Sequence, residues 1–129
     1  MKTDVQIRQD MYQYINAQGL GQSITGEVSY TGRETDKEDC VISVQDSDAE
    51  QTQTAIVYVN VYVPDISSGG RKQEAVSRTE ELATLFAEKL ESGFGDTFRF
   101  ELKKQRIIPV NGKNEHVITH KIEYLQSND

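Results

Sequence analysis

The chain has 129 residues, of which 36% are hydrophobic, a length that suits one domain over residues 1–129 with its own core. Its one cysteine excludes an internal disulfide or a multi-cysteine zinc site, which fits a cytosolic origin. The net charge of −7, from 14 basic and 21 acidic residues, argues against a nucleic-acid backbone or an anionic membrane as the main partner.

The chain begins with a predicted helix from Asp4 to Ala17, because apolar side chains recur on one face of that segment. Thr3 can cap the N-terminus of this helix, and Gly19 is placed to end it. Alternating residues around 24–30 and the β-branched run 40–44 predict short strands. An acidic loop separates these two strands.

Residues 55–63 form the strongest predicted strand, because both of its faces are largely apolar. One face carries Val57, Val59, Val61 and Val63, and the other carries Ile56, Tyr58, Asn60 and Tyr62. Such a strand is either central and covered on both sides, or it has an aromatic face that meets another subunit. The Ser-Ser-Gly-Gly run at 67–70 is interpreted as a flexible connection.

The second half of the chain adds a helix and two strands. A broad apolar stripe predicts a helix from Gln73 to Glu91, and alternation predicts strands that begin at Phe98 and span Val117 to Leu125. Residues 126–129 are expected to be a frayed tail. The predicted fold is α+β, with a mostly antiparallel sheet of about five strands and two helices in the order α-β-β-β-α-β-β.

The sequence shows no signal for export or membrane insertion. Its first residues contain no apolar h-region, and its longest apolar stretch, 55–63, is far shorter than the ~18 residues of a membrane span. We therefore expect no secretion by that route and no membrane as a partner.

The titratable side chains form no catalytic constellation in the sequence. His116 and His120 have the spacing of a helical zinc site, but four residues of a strand span about 13 Å, too far for one metal ion to bridge. His120 is expected to be hydrogen-bonded in or beside the core. Acidic neighbours should raise the pKa of the Cys40 thiol, which favours a small buried side chain over a nucleophile. Asp46 and Asp48 lack the glycine and glutamate of a calcium loop, so no metal or cofactor is predicted, with a weak cation site as the alternative.

Charge is distributed unevenly along the chain. Residues 34–50 contain seven acidic residues against Lys37 alone. Residues 99–121 contain six basic residues against Glu101 and Glu115. These blocks are either two solvated surfaces of opposite sign or a self-complementary pair that joins identical subunits head to tail.

Three parts of the chain carry a family resemblance. They are Gly26-Glu27-Val28 with Arg33, the run KEDCVIS at 37–43, and the run VNVYVPDI at 59–66. This arrangement resembles the tail-terminator, or tail-completion, proteins of long-tailed bacteriophages and related prophages. In that family a short N-terminal helix and an acidic loop precede an E-D-x-V-I strand, a V-N-V-Y-V-P-D strand and a helix packed beneath. The match in element order runs from about residue 4 to residue 125.

The resemblance implies a non-enzymatic structural protein of the virion. Such a protein forms a ring, commonly hexameric, that caps the tail tube, stops its growth and joins it to the head connector. Its partners would be further copies of itself and the tube and connector proteins, while DNA passes without specific binding. Its location would be the bacterial cytoplasm during assembly and the virion tail afterwards.

The candidate contact residues come from the two charge blocks and the aromatic strand face. They are Glu34, Asp36, Glu38, Asp39, Tyr58, Tyr62, Arg99, Lys103, Lys104 and Arg106. Two other classes of function stay open on these residues. One is a heteromeric adaptor or inhibitor that binds a basic protein, and the other is a small-ligand-binding or enzymatic domain with a polar pocket.

Overall fold

The computed structural model describes residues 2–33, 35–48 and 53–126. Its elements in chain order are α1 (Asp4–Ala17), β1 (Val28–Ser29), β2 (Cys40–Asp48), β3 (Thr54–Pro64), β4 (Ile66–Ser68), β5 (Arg71–Gln73), α2 (Val76–Leu90), β6 (Ser92–Phe94), β7 (Phe98–Pro109) and β8 (Glu115–Gln126). A 3₁₀ turn at Leu20–Gln22 follows α1.

Six strands form one mixed sheet, in the order β1-β2-β3-β8-β7-β6. Neighbouring strands pair antiparallel except β1 and β2, which are parallel. The other two strands, β4 and β5, pair with each other as a separate hairpin. Both long ladders of the sheet run along β8, which pairs with β3 on one side and with β7 on the other.

The first helix begins and ends where the sequence predicts. The Thr3 hydroxyl accepts a hydrogen bond from the Gln6 N–H, and the Gln6 side chain accepts one from the Thr3 N–H, a reciprocal cap that satisfies two N–H groups at the helix start. Gly19 has a φ of 78°, which lets the chain leave the helix without a side-chain clash. The residues of α1 that are buried in the core are Ile7, Met11 and Ile15.

The core lies between the two helices and a single face of the sheet. Tyr14 of α1 packs edge-on against Phe100 of β7, and Phe86 of α2 packs against His120 of β8. Along β3 the residues on this inner face are buried and the residues on the outer face are partly exposed. The expectation that β3 is covered on both sides is therefore wrong within this chain, because both helices pack on the same face.

The predicted α+β class is confirmed, but the predicted strand order is wrong in detail. The sheet has six strands rather than about five, and the hairpin adds two more. The run 67–70, expected to be a flexible connection, belongs to this hairpin because Gly69 and Gly70 have φ values of 59° and 80°, the left-handed pair that a tight two-residue turn needs. Since β5 includes Gln73, α2 begins at Val76 rather than at Gln73.

Three further details depart from the expectation. β6 is a short edge strand immediately after α2, where the sequence indicated only the end of a helix. β1 runs parallel to β2, although the sheet was expected to be mostly antiparallel. Gln126, expected to be frayed, pairs with Phe98 and donates its N–H to the Gln53 carbonyl. Residues 127–129 lie outside the described residues.

His120 is the buried, hydrogen-bonded histidine that the sequence predicts. Its Nδ1 lies 2.8 Å from the Val59 carbonyl, and its Nε2 lies 2.9 Å from Nε2 of Gln105. The same Gln105 nitrogen donates to the Ala83 carbonyl. Because an amide nitrogen can only donate, Nε2 of His120 accepts and Nδ1 carries the proton. The imidazole is thus held in one neutral tautomer.

The buried imidazole makes stability depend on pH. Burial lowers the pKa of His120 to about 4, so between about pH 6.5 and 4 the unfolded chain binds a proton that the folded chain does not. The free energy of unfolding should therefore decrease as the pH is lowered across this window, by up to about 1.4 kcal/mol per pH unit. Urea unfolding at several pH values should show a shallower slope for His120→Leu than for the wild type. An equal slope in both proteins would contradict the assignment.

Candidate interaction surfaces

The acidic loop before β2 is held by ion pairs inside the chain. The Glu38 carboxylate binds Arg78 of α2 through two contacts of 2.8 Å, and it also accepts the Thr25 N–H. The same guanidinium donates to the Ser23 carbonyl at 2.7 Å. Only 6% of Glu38 is exposed. Its charge therefore fastens the loop to α2.

Asp39 is the most enclosed member of this loop, with 1% exposed. Its carboxylate accepts hydrogen bonds from the Thr35 N–H and hydroxyl, the Glu27 N–H and the Arg33 guanidinium. One nitrogen of Arg33, Nη1, also donates to both carboxylate oxygens of Glu115, at 2.6 and 2.8 Å. One guanidinium thus joins the loop to the start of β8 and also lies over the Tyr62 ring, 4.5 Å from its centroid.

Hydrogen bonding keeps both loop carboxylates ionised. The Arg78 hydrogen bonds lower the pKa of Glu38 against the opposing effect of burial. Burial by itself would raise the pKa of Asp39, but the hydrogen bonds from Thr35, Glu27 and Arg33 outweigh it and hold that pKa below its ordinary value. Both carboxylates, predicted as contact residues, already have partners within the chain.

Two acidic contact candidates remain, Asp36 and Glu34. Asp36 is exposed at the tip of the loop. Glu34 lies outside the described residues, so its predicted role stays a prediction.

The outer face of the sheet carries most of the other candidates. Rows of side chains cross it at right angles to the strands: Tyr58 of β3 lies opposite Lys121 of β8, which lies opposite Lys104 of β7. The next row holds Thr119 opposite Arg106. Both described helices pack on the other face of the sheet, so neither of them covers these rows.

A β-bulge in β7 brings two lysines to this outer face. The register shifts between Leu102 and Lys104, which leaves Lys103 without a partner on β8. Lys103 contacts Glu101 at 3.0 Å and Glu123 at 3.9 Å. Lys104 instead lines a shallow pocket on the outer face, together with Tyr58 and Lys121. Simple alternation would have placed the neighbours 103 and 104 on opposite faces.

Three cations gather on the outer face in a cluster that we call the cationic patch: Lys104, Arg106 and Lys121. Together with Tyr58 and Thr119 they line a shallow pocket of about 330 Å³. None of the three forms an ion pair with any residue that the structure describes. Like charges directly opposite each other on a sheet are destabilising, so an anionic group on this patch would be favoured.

The other two candidates lie away from the patch. Tyr62 is two rows from Tyr58 and packs under Arg33. Arg99 lies at the far end of β7, in an open cleft of about 810 Å³ beside edge strand β6. This cleft also contains Phe94, which is 79% exposed. The structure thus brings Tyr58, Lys104 and Arg106 together and leaves Tyr62 and Arg99 apart.

The sequence missed Lys121 as a patch residue. It belongs to the basic block, but the register that places it opposite Lys104 includes the bulge after Leu102, which no local pattern in the sequence indicates. The same register places Thr119 opposite Arg106, beside the cationic patch. A hairpin interpretation of β7 and β8 around the Asn111-Gly112 turn, with the bulge included, was the signal that could have found both residues.

The two histidines have different surroundings. His116 contacts Asp65 at 2.8 Å and Glu74 at 3.4 Å, whereas His120 is enclosed in the core. Over residues 2–33, 35–48 and 53–126, no group of three or more potential ligands could hold a metal ion. No helix in the same ranges is long and apolar enough to cross a bilayer.

Comparison with known proteins gives no family assignment. No protein-family model matches the chain, and no curated protein matches it in sequence.

The Asp39 hydrogen bonds should dominate the stability of the acidic loop. We expect Asp39→Asn to lower the free energy of unfolding by about 3–5 kcal/mol at pH 7, because it leaves Arg33 without one of its buried partners. Asp36→Asn, the exposed control three residues away, should change it by less than about 0.5 kcal/mol. Urea unfolding measures both.

The stabilisation that Asp39 provides should also depend on pH. The pKa of Asp39 is lowered in the folded chain, so its contribution is present above the unfolded value of about 3.9 and is lost as pH falls through the lower folded value. The difference between wild type and Asp39→Asn should therefore shrink in acid. A difference that does not depend on pH would show that the loss comes from packing rather than charge.

The Cys40 thiol should be unreactive in the folded chain. It is fully buried, and burial, with the charge of Asp39, raises its pKa to about 12, so almost no thiolate forms at neutral pH. A chromogenic disulfide reagent should react with one thiol per chain in urea and with essentially none under native conditions. Rapid native labelling would contradict the burial.

Proposed function

We propose that this chain is a structural subunit of a homo-oligomeric ring, of the type that terminates phage tails, with the outer face of its sheet buried against a neighbouring subunit. The observation that carries the proposal is the outer face itself. It combines the aromatic ring of Tyr58 with three cations that have no ion-pair partner among the described residues, and neither helix that the structure describes packs on it.

The chemistry of the surface supports binding between proteins. A tyrosine contributes apolar area and a hydroxyl, and arginine is enriched at the centres of protein interfaces. Mutual repulsion of Lys104 and Lys121, which face each other across β7 and β8, would be relieved by acidic groups of a neighbour. The face therefore gains from a partner both by burial and by charge.

Two of the reactive side chains, His120 and Cys40, support a non-enzymatic role because both are buried. His120 is a neutral imidazole with both nitrogens occupied, and Cys40 is a buried thiol with a raised pKa. Neither can act on a substrate that stays at the surface. The polar residues that line the outer pocket are lysine, arginine, tyrosine and threonine, which suit recognition of an anionic surface.

In this role the subunit would close a ring at the end of a tail tube. The tube and the head connector would contact the two rims, and DNA would pass through the opening without specific binding. The net charge of −7 supports that last point, because a ring of acidic subunits repels phosphates. The protein would assemble in the bacterial cytoplasm and remain in the virion tail.

The first test is the mass of the protein in solution. Sedimentation and native mass spectrometry should show one closed species, a hexamer if the tail-terminator type applies, and electron micrographs should show rings. A protein that is strictly monomeric at high concentration and low salt would overturn the proposal. A stable complex with one basic protein, without self-association, would favour the adaptor function instead.

A second test addresses the tail. Genes for capsid, tail-tube and tape-measure proteins should lie beside the gene for this chain. In a phage or prophage that carries it, deletion of the gene should give tail tubes of abnormal length and free heads. Normal virions from the deletion strain would contradict the assignment.

A further inference from the structure

The outward face of α2 is acidic. Its buried residues, Thr79, Leu82, Phe86 and Leu90 among them, point to the core. At 100° per residue, Glu81 and Glu88 lie opposite them, Glu80 lies on the flank of the helix, and Glu91 follows its last residue. All four glutamates are exposed. We call these four residues the acidic stripe.

Among the described residues, few cations neutralise the glutamates of the acidic stripe. Glu81 pairs with Arg78 at 2.8 Å, and that guanidinium is already committed to Glu38. Glu80, Glu88 and Glu91 form no ion pair with any part of the chain that the structure describes. Since like charges three or four residues apart weaken a helix, the pair Glu88 and Glu91 would also gain from a cationic partner.

The stripe and the cationic patch lie on opposite sides of the molecule. α2 covers the inner face of the sheet, where Phe86 packs on His120. Glu81 and Glu88 face away from the sheet, whereas Glu80 borders the cleft between α2 and β7. Lys104, Arg106 and Lys121 project from the outer face. One subunit therefore carries a negative surface on one side and a positive surface on the other.

The spacings of the two surfaces match. Glu88 and Glu91 are one helical turn apart, about 5–6 Å between Cβ atoms, and Lys104 and Lys121 face each other at about 5 Å. Arg106 lies two residues along β7 from Lys104, about 7 Å away.

We infer that the acidic stripe of one subunit binds the cationic patch of the next, so that α2 of each copy covers the outer sheet face of its neighbour. This inference rests on the proposed self-assembly and names the two surfaces that form the contact. Because the surfaces are different and lie on opposite sides, the contact is heterologous, and repetition closes a ring or extends a filament.

Charge reversal tests both sides of this contact. We expect Lys104→Glu with Lys121→Glu to weaken self-association at least 100-fold, because like charges then face each other across the contact. Glu88→Lys with Glu91→Lys should have the same effect from the other side. The matched control is Arg71→Glu with Lys72→Glu on the exposed β4–β5 hairpin, which should assemble as the wild type does. Circular dichroism and urea midpoints check that all three variants fold.

Mixing the two reversed proteins is the decisive experiment. The patch variant then presents glutamates to the lysines of the stripe variant, and the two native surfaces that remain also match. The equimolar mixture should recover assembly, with the two proteins alternating, although each alone does not assemble. Added salt should weaken both the wild-type and the mixed assembly.

The outcomes separate this inference from the proposed function. A wild-type protein that never self-associates overturns the proposed function, and the inference with it. A wild-type ring that persists in either reversed variant overturns the inference and leaves the ring intact. Loss of assembly in both variants without recovery in the mixture also overturns it, because the two surfaces then do not meet.

Discussion

Both helices pack on the same face of the sheet, and the rest of the structure depends on this one-sided arrangement. The inner face can be fully apolar because α1 and α2 exclude water from it, and the buried valines of β3 and the enclosed His120 follow from that. The outer face must stay compatible with water while the subunit is alone. Its mixture of tyrosine, threonine and charged residues meets that condition and still leaves surface that a partner can bury.

The bulge in β7 determines what the outer face presents. Without the register shift at Lys103, residue 104 would point to the inner face, where a lysine side chain would lie opposite the buried His120. With it, Lys103 binds the glutamates of its own face and Lys104 joins Lys121. One extra residue in β7 thus places Lys103 beside glutamates that neutralise it, and Lys104 in the cationic patch.

Local patterns in the sequence predicted what depends on local physics. The caps of α1, the apolar face of α2 and the two-faced β3 all follow from periodicity over a few residues. The β4–β5 hairpin was missed because serine and glycine have low strand propensity, and its stability comes from the turn that Gly69 and Gly70 allow. The patch was predicted in part, since Lys104 and Arg106 are two residues apart in the basic block, but Lys121 joins them only through the pairing of β7 with β8.

The acidic loop shows why charge along a sequence differs from charge on a surface. Glu38 and Asp39 count fully toward the acidic block, yet Arg78, forty residues away, and Arg33 neutralise them inside the fold. Those pairs also remove two arginines from the surface. The charges without an ion pair among the described residues include a different set, with Glu80, Glu88 and Glu91 on and beside α2 and with Lys104, Arg106 and Lys121 on the sheet. The head-to-tail contact that we propose therefore joins the helix to the sheet rather than the acidic loop to the basic block.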